Sequence, residues 1–285
     1  MQIEMKPLAG GLYFVATPIG SARDITLRAL DILGSADVLA AEDTRNLRKL
    51  MDIHGISLGD RPLVAYHDHN GARMQPRLTA HVKDGKSVAY MSDAGTPLVA
   101  DPGYGLARAM IAADLPVFAA PGASAILTAL CVAGLPSDRF MFAGFAPPKS
   151  AARKTMFRQL APIQTTLIFY ESPKRLAATL ADMTEVFGAG RPAAICRELT
   201  KKFEQCMRGN LADLAARLDD EMTLKGEIVL VLGPPADTEI SDDMIDAALT
   251  DALSSLSVRD ASSEVAEALS VPRKRVYARA LVINA

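Results

Sequence analysis

The chain has little of what usually marks a metal enzyme, a secreted protein or a membrane protein. It carries three cysteines, Cys131, Cys196 and Cys206, an odd number with no CxxC pair. That speaks for free thiols in a reducing compartment and against a zinc site. Histidines number four, two of them at His67 and His69, so a metal centre has poor support and none is expected. The most apolar stretch, residues 123–135, is too short to cross a bilayer and contains Ser124 and Thr128. No basic-apolar-small leader opens the sequence, and a cytoplasmic location with no membrane contact is expected. Net charge is also scarce. A formal value of −2 does not announce a nucleic-acid binder.

Common catalytic signatures are missing too. There is no G-x-G-x-x-G after the first candidate strand and no G-x-x-x-x-G-K-[ST] loop, which removes the usual dinucleotide and nucleoside-triphosphate readings. No Ser or Cys sits in a nucleophile elbow.

What is present is a globular composition, 49% hydrophobic and 22% charged, on a chain of 285 residues long enough to bury a sizeable core. Short apolar runs at 12–16, 38–41, 63–66, 87–91 and 117–120 alternate with helical patterns, as at 26–33, 44–54 and 104–113. That alternation predicts βαβ units and a mostly parallel sheet. Gly and Pro cluster over 142–149 and read as a break, so a domain boundary is expected between 130 and 148. Further strands are expected at 166–170, 193–198, 203–208 and 227–232. The 198–203 connection is too short for a crossover helix, so the second sheet should be mixed. A polar, acidic linker and helical segments with helix-turn-helix spacing complete the chain. The expected organisation is an α/β domain at 1–130, a second at 131–235 and a small helical appendage at 236–285.

In open α/β sheets the ligand crevice lies beyond the carboxyl ends of the strands. Four loops there are rich in Gly, Pro, Ser and Thr: Thr17-Pro18-Ile19-Gly20, Ser92-Asp93-Ala94-Gly95-Thr96-Pro97 running on to Asp101-Pro102-Gly103-Tyr104, Pro121-Gly122-Ala123-Ser124-Ala125, and the pair at 170–173 and 197–200. Glycine admits close backbone approach to a ligand and proline pre-sets turns. Each loop alone could equally be an ordinary capped turn.

Together, these loops with Glu42-Asp43-Thr44-Arg45, Gly134-Leu135-Pro136-Ser137-Asp138-Arg139-Phe140, Phe169-Tyr170-Glu171-Ser172-Pro173, Arg197-Glu198-Leu199-Thr200-Lys201 and Lys225-Gly226-Glu227 strongly resemble the ribosomal RNA cytidine 2'-O-methyltransferase family. That family belongs to the tetrapyrrole-methylase-like class of S-adenosylmethionine-dependent enzymes. The likeness runs in order over about residues 11–233.

The resemblance implies two α/β domains with the cofactor cleft between them, usually as a homodimer, acting on 16S ribosomal RNA in the small subunit. It places Ile19, Asp93, Thr96, Ser124 and Ala125 on S-adenosylmethionine from the first domain, and Tyr170, Glu171, Leu199 and Gly226 from the second. A ribose hydroxyl is a weak nucleophile, so a base should help. Glu42, Asp24, Glu171 and Arg23 are the catalytic candidates, with Asp43 and Glu198 as further carboxylates. Arg45, Lys149, Arg273, Lys274 and Arg275 are candidate RNA contacts.

Plainer readings stand beside these. Asp24 could cap a helix, Asp43 and Arg45 could pair structurally, and the arginines at 273–279 could form a solvated face. Two other functions stay open: a tetrapyrrole methyltransferase, and a non-catalytic RNA-binding protein that senses the cofactor.

Overall fold

The computed structural model describes residues 4–218, 225–236, 241–269 and 271–284. The expected linker residues 237–240 and Ser270 of the expected turn lie outside them. Contacts divide the chain into two units, one ending at Pro234 and the other starting at Pro235.

The first unit opens with a parallel sheet of five strands, β1 (Gly11–Val15), β2 (Val38–Ala41), β3 (Leu63–Ala65), β4 (Ser87–Met91) and β5 (Val117–Ala120), in the order β3-β2-β4-β1-β5. Every residue of β1, β2 and β4 is buried, as expected when helices cover both faces of a parallel sheet. The crossovers carry α1 (Leu27–Ser35), α2 (Thr44–Ile53), α3 (Gly71–Lys83) and α4 (Tyr104–Ala112). Thr26, not Asp24, caps α1: its side chain accepts from the Ala29 N–H. Asp43 caps α2 by accepting from the Arg45 N–H.

Helix α5 (Ala125–Ala133) leaves the first sheet and packs on the second, burying Ile126, Ala129, Leu130 and Ala133 against Ile168, Ala194, Cys196, Val229 and Val231. The expected junction at residue 130 therefore falls inside a helix. It ends at Gly134, whose left-handed φ of 71° lets the chain turn away.

The second sheet contains β6 (Phe140–Phe145), β7 (Thr166–Glu171), β8 (Pro192–Arg197), β9 (Gln205–Asn210) and β10 (Ile228–Leu232), with α6 (Ser150–Leu160), α7 (Leu176–Phe187) and α8 (Leu211–Ala216). Its order is β6-β7-β10-β8-β9. Only β6 and β7 run parallel; the other three pairings are antiparallel, so the sheet is mixed as expected. The first half of the Gly- and Pro-rich stretch that reads as a break is in fact part of edge strand β6, and the two prolines follow it. Its register slips between Phe142 and Phe145.

Because β10 is antiparallel to β7, the amino end of β10 lies beside the carboxyl end of β7. That puts Gly226 and Glu227 next to Glu171-Ser172-Pro173. The described residues of the second unit form three helices, α9 (Asp242–Leu253), α10 (Val258–Ala268) and α11 (Arg273–Ile283), around Ile245, Leu249, Ala261, Val265, Val276 and Ala280. Among the described residues no helix is long and apolar enough to cross a membrane.

Candidate functional site

The loops after β1, β2, β4 and β5 converge with the ends of β6, β7 and β10 on one cavity of about 420 Å³, within the range of small-molecule sites. Two backbone hydrogen bonds weld the first two glycine-rich loops. Thr17 N donates to Gly95 O at 2.9 Å, and Gly95 N donates to Thr17 O at 3.1 Å. Gly95 has φ +81°, and a Cβ there would press on Ile19 at 3.3 Å, so only glycine fits without strain. Thr96 Oγ1 donates to Ala123 O at 3.1 Å, tying the β4 loop to the β5 loop.

Beyond Pro97 the loop is strained. Leu98 and Ala100 hold φ of 71° and 61°, a conformation that costs a non-glycine residue on the order of 1–3 kcal/mol and that gathers at functional sites.

Of the residues expected on the cofactor, Ile19, Asp93, Thr96, Ser124, Ala125, Tyr170, Glu171 and Gly226 line this cavity, and so does Glu42. Leu199 does not. Its apolar side chain is buried together with Ile19 in the core that α5 shares with the second sheet. Arg23 and Asp24 are exposed and line neither this cavity nor its neighbour.

The lining has an unusual charge. Among the described residues it includes five carboxyl groups, Glu42, Asp93, Asp101, Glu171 and Glu227, and no Lys, Arg or His. Burial pushes the Asp101 carboxyl up to about 6, with the Glu42 and Asp93 charges adding to it. Burial likewise raises Glu42, and the neighbouring Asp93 and Asp68 charges reinforce it, against the backbone N–H of Asp93. A pocket with this balance repels phosphate and favours a cation. The N-terminus of α5, at Ala125, supplies free N–H groups for an anionic end of the same ligand. Tyr170 forms one wall, in edge contact with Phe142 and Phe145 at 4.7 and 5.5 Å between ring centres. Burial raises its hydroxyl to about 12, so it stays a hydrogen-bond donor at neutral pH.

The carboxylates separate into working and tethered groups. Glu171 accepts from Ser172 N at 2.7 Å and from Thr179 Oγ1 at 2.6 Å, and pairs with Arg175 at 3.2 Å. Its side chain is 1% exposed. Glu198 accepts from Lys201 Nζ at 2.9 Å and from Glu227 N at 3.0 Å, and lies outside the lining. Both hold the loops in place. Asp43 is taken by its cap and by a forked pair with Arg45, 2.5 Å at the closest, so the plainer reading of that pair holds. Glu42 has one long contact, accepting from Asp93 N at 3.4 Å. It is less committed than Glu171, Glu198 or Asp43.

Of the candidate RNA contacts in the first unit, neither Arg45 nor Lys149 lines the cavity. Arg45 and Lys149 are exposed at the starts of α2 and α6. Arg273, Lys274 and Arg275 open α11, but Arg275 pairs with Asp242 at 2.7 Å and Arg279 pairs with Asp246. Half of the basic cluster is therefore neutralised by α9 within the second unit.

Phe145, Val99 and Asp101 also line the cavity and escaped the sequence reading. Phe145 was hidden in the presumed break. The Asp101-Pro102-Gly103 motif was visible, yet nothing in it tells that the carboxyl turns inward.

Residues 11–215 match the family model described as Tetrapyrrole (Corrin/Porphyrin) Methylases, and residues 238–283 match the RsmI C-terminal HTH domain. The chain is similar to the Ribosomal RNA small subunit methyltransferase I of Mesorhizobium japonicum, 46% identical over 99% of this chain and 95% of that one. It is 43% identical to the protein of that name from Micromonospora olivasterospora, over 94% and 86% of the two chains. Among solved structures, uroporphyrin-III-C-methyltransferase from Thermus thermophilus superposes with a TM-score of 0.56 at 24% identity, over 79% of this chain and 94% of that one.

Proposed function

The chain belongs to the tetrapyrrole methylase family, among the small-subunit ribosomal RNA methyltransferases, and from that premise we propose that it methylates the ribose 2'-oxygen of a cytidine in 16S ribosomal RNA. The observation that carries the reading is the cavity with five carboxyl groups and no basic side chain among the described residues. S-adenosylmethionine fits it: its sulfonium and ammonium charges suit the acidic lining, and its carboxylate suits the α5 N-terminus. When bound, it supplies an electrophilic methyl group on positive sulfur.

The protein's part is alignment, exclusion of water and removal of one proton. Asp93, Thr96, Ser124, Ala125, Tyr170 and Gly226 hold the cofactor, several through backbone atoms. Glu42 takes the proton from the attacking hydroxyl. Its burial and its acidic neighbours raise its basicity, which suits a base working near neutral pH. Glu171 and Glu198 fix the loops around it.

The near-zero net charge favours a structured ribonucleoprotein over free RNA, where phosphate attraction dominates affinity. The substrate on this reading is the assembled small subunit, and the location cytoplasmic. The chain works as a homodimer, the arrangement its family resemblance implies.

The test is to incubate the protein with methyl-labelled cofactor and small subunits purified from cells lacking the modification. Label on a cytidine 2'-oxygen is the expected result. No label on any ribose overturns the reading.

A further inference from the structure

A second cavity, of about 550 Å³, adjoins the first, and Ile19, Asp93, Ala94 and Glu227 line both. Its outer wall is α2. That helix buries Leu47 and Met51 against the sheet, and one turn round it presents Asn46, Lys49, Leu50 and Ile53 to the cavity. The spacing i, i+3, i+4, i+7 makes this a continuous stripe along the helix.

Three features of the stripe want explaining. Ile53 is 56% exposed, an uncovered apolar wall. Asn46 and Lys49 are exposed and make no side-chain hydrogen bond or ion pair with any described residue. Arg23 and Arg48, next in sequence to the lining residues Ala22 and Lys49, are exposed as well. The loop bearing Arg23 is pinned to α2 by a 2.9 Å contact between His54 Nε2 and Ala22 O. The first cavity is acidic; the second mixes the carboxylates Asp43, Asp93 and Glu227 with Lys49 and Lys201, but Asp43 is engaged by Arg45 and Glu227 by Lys201, which leaves Lys49 as its unpaired cation among the described residues.

We propose that this second cavity receives the target ribonucleotide, turned out of its RNA, with Lys49 on its phosphate and Asn46 on its base edge. The inference rests on the methyltransferase reading and says where its substrate sits. A nucleotide offers a phosphate, a flat apolar ring and a polar base edge, and a flipped base is read by such a combination. Leu50 and Ile53 cover the ring face. The ribose then sits at the shared wall, beside Asp93 and one step from Glu42, where its hydroxyl faces the first cavity.

The experiment compares wild type with N46A, K49A and K49R on small subunits lacking the modification. It measures kcat, KM for subunits, S-adenosylhomocysteine affinity by calorimetry, and melting temperature. K49A is expected to raise KM about tenfold, with kcat little changed and K49R restoring most of the loss; N46A lowers kcat/KM about tenfold. Cofactor affinity and melting temperature stay at wild-type values. Variants that keep wild-type kcat/KM overturn the pocket while leaving the methyltransferase reading intact. So does a loss matched by weaker cofactor binding or earlier melting, which makes the residues structural. A wild-type protein that labels no ribose overturns both readings together.

Discussion

The Glu198 carboxylate lies directly over the Cα of Gly226: a Cβ built on that glycine would stand 2.2 Å from Glu198 Oε1. Gly226 also has φ +96°, which L side chains rarely adopt. Glu198 is itself held at φ +51° and bridged to Lys201, which with the Glu227 N–H keeps its carboxyl below the ordinary range. The loop leading into β10 and the loop after β8 are thus packed backbone to side chain at the mouth of the acidic cavity. G226A must push Glu198 aside and strain the turn. Calorimetry with S-adenosylhomocysteine should show affinity lowered by about tenfold or more, the equivalent of roughly 1.4 kcal/mol. Wild-type affinity in G226A would mean that the contact can be relaxed freely.

Glu42 as the proton acceptor makes a distinct kinetic prediction. E42Q keeps the shape and one hydrogen-bond acceptor but cannot take a proton. Single-turnover methylation should fall by about 10²–10⁴-fold while cofactor affinity holds. The rise of the wild-type rate with pH should flatten in E42Q. If the variant loses less than about threefold and keeps the slope, the proton leaves by another path.

These sites were unequally legible in the sequence. Strands β1, β2 and β4 are buried on both faces, so they read as plain apolar runs, and the loops behind them could be located. Strand β6 could not be read that way. It is an edge strand with Phe140, Met141 and Phe145 exposed, interrupted by Gly144 at φ 71°, and resembles a loop in composition. The role of Glu171 was hidden for a different reason. Its partners Arg175 and Thr179 stand at i+4 and i+8 on the following turn and helix, a relation visible only once the β7–α7 turn is built. The basic run at 273–279 was plain, but its acidic partners lie 33 residues earlier.

The Arg153–Asp182 pair predicts a stability effect separable from catalysis. Both side chains are nearly inaccessible, at 4% and 10%, and sit 2.5 Å apart. Asp182 also accepts from Ser150 Oγ at 2.9 Å. D182A strands a buried guanidinium and should cost about 3–5 kcal/mol, read as an earlier urea midpoint with unchanged slope. A shift below about 1 kcal/mol would show that water reaches Arg153.

The tail separates charges that hold the helices from charges free to meet RNA. Arg275 and Arg279 face Asp242 and Asp246, whereas Arg273 and Lys274 are exposed and outside any ion pair among the described residues. The double variant R273A/K274A should weaken small-subunit binding and reduce the slope of log affinity against log salt by about two, one per lost phosphate contact. An unchanged slope would remove this face from the RNA interface.

Asp101 links pH to both stability and cofactor binding, and the two effects have opposite signs. Its carboxyl is pushed up to about 6 by burial and by Glu42 and Asp93, against about 3.9 in an unfolded chain. The fold therefore prefers the protonated form. Its contribution to stability is fully present below about pH 4, declines between about 4 and 6, and is absent above. D101N, neutral throughout, should match wild type in melting temperature at pH 4 and exceed it at pH 8. Binding runs the other way. A cationic ligand favours the ionised carboxylate, so S-adenosylmethionine affinity should climb in wild type as pH rises through about 6. In D101N that climb should be missing and affinity at pH 8 lower than in wild type. Parallel binding curves for the two proteins between pH 5 and 8 would show that Asp101 does not face the positive charge.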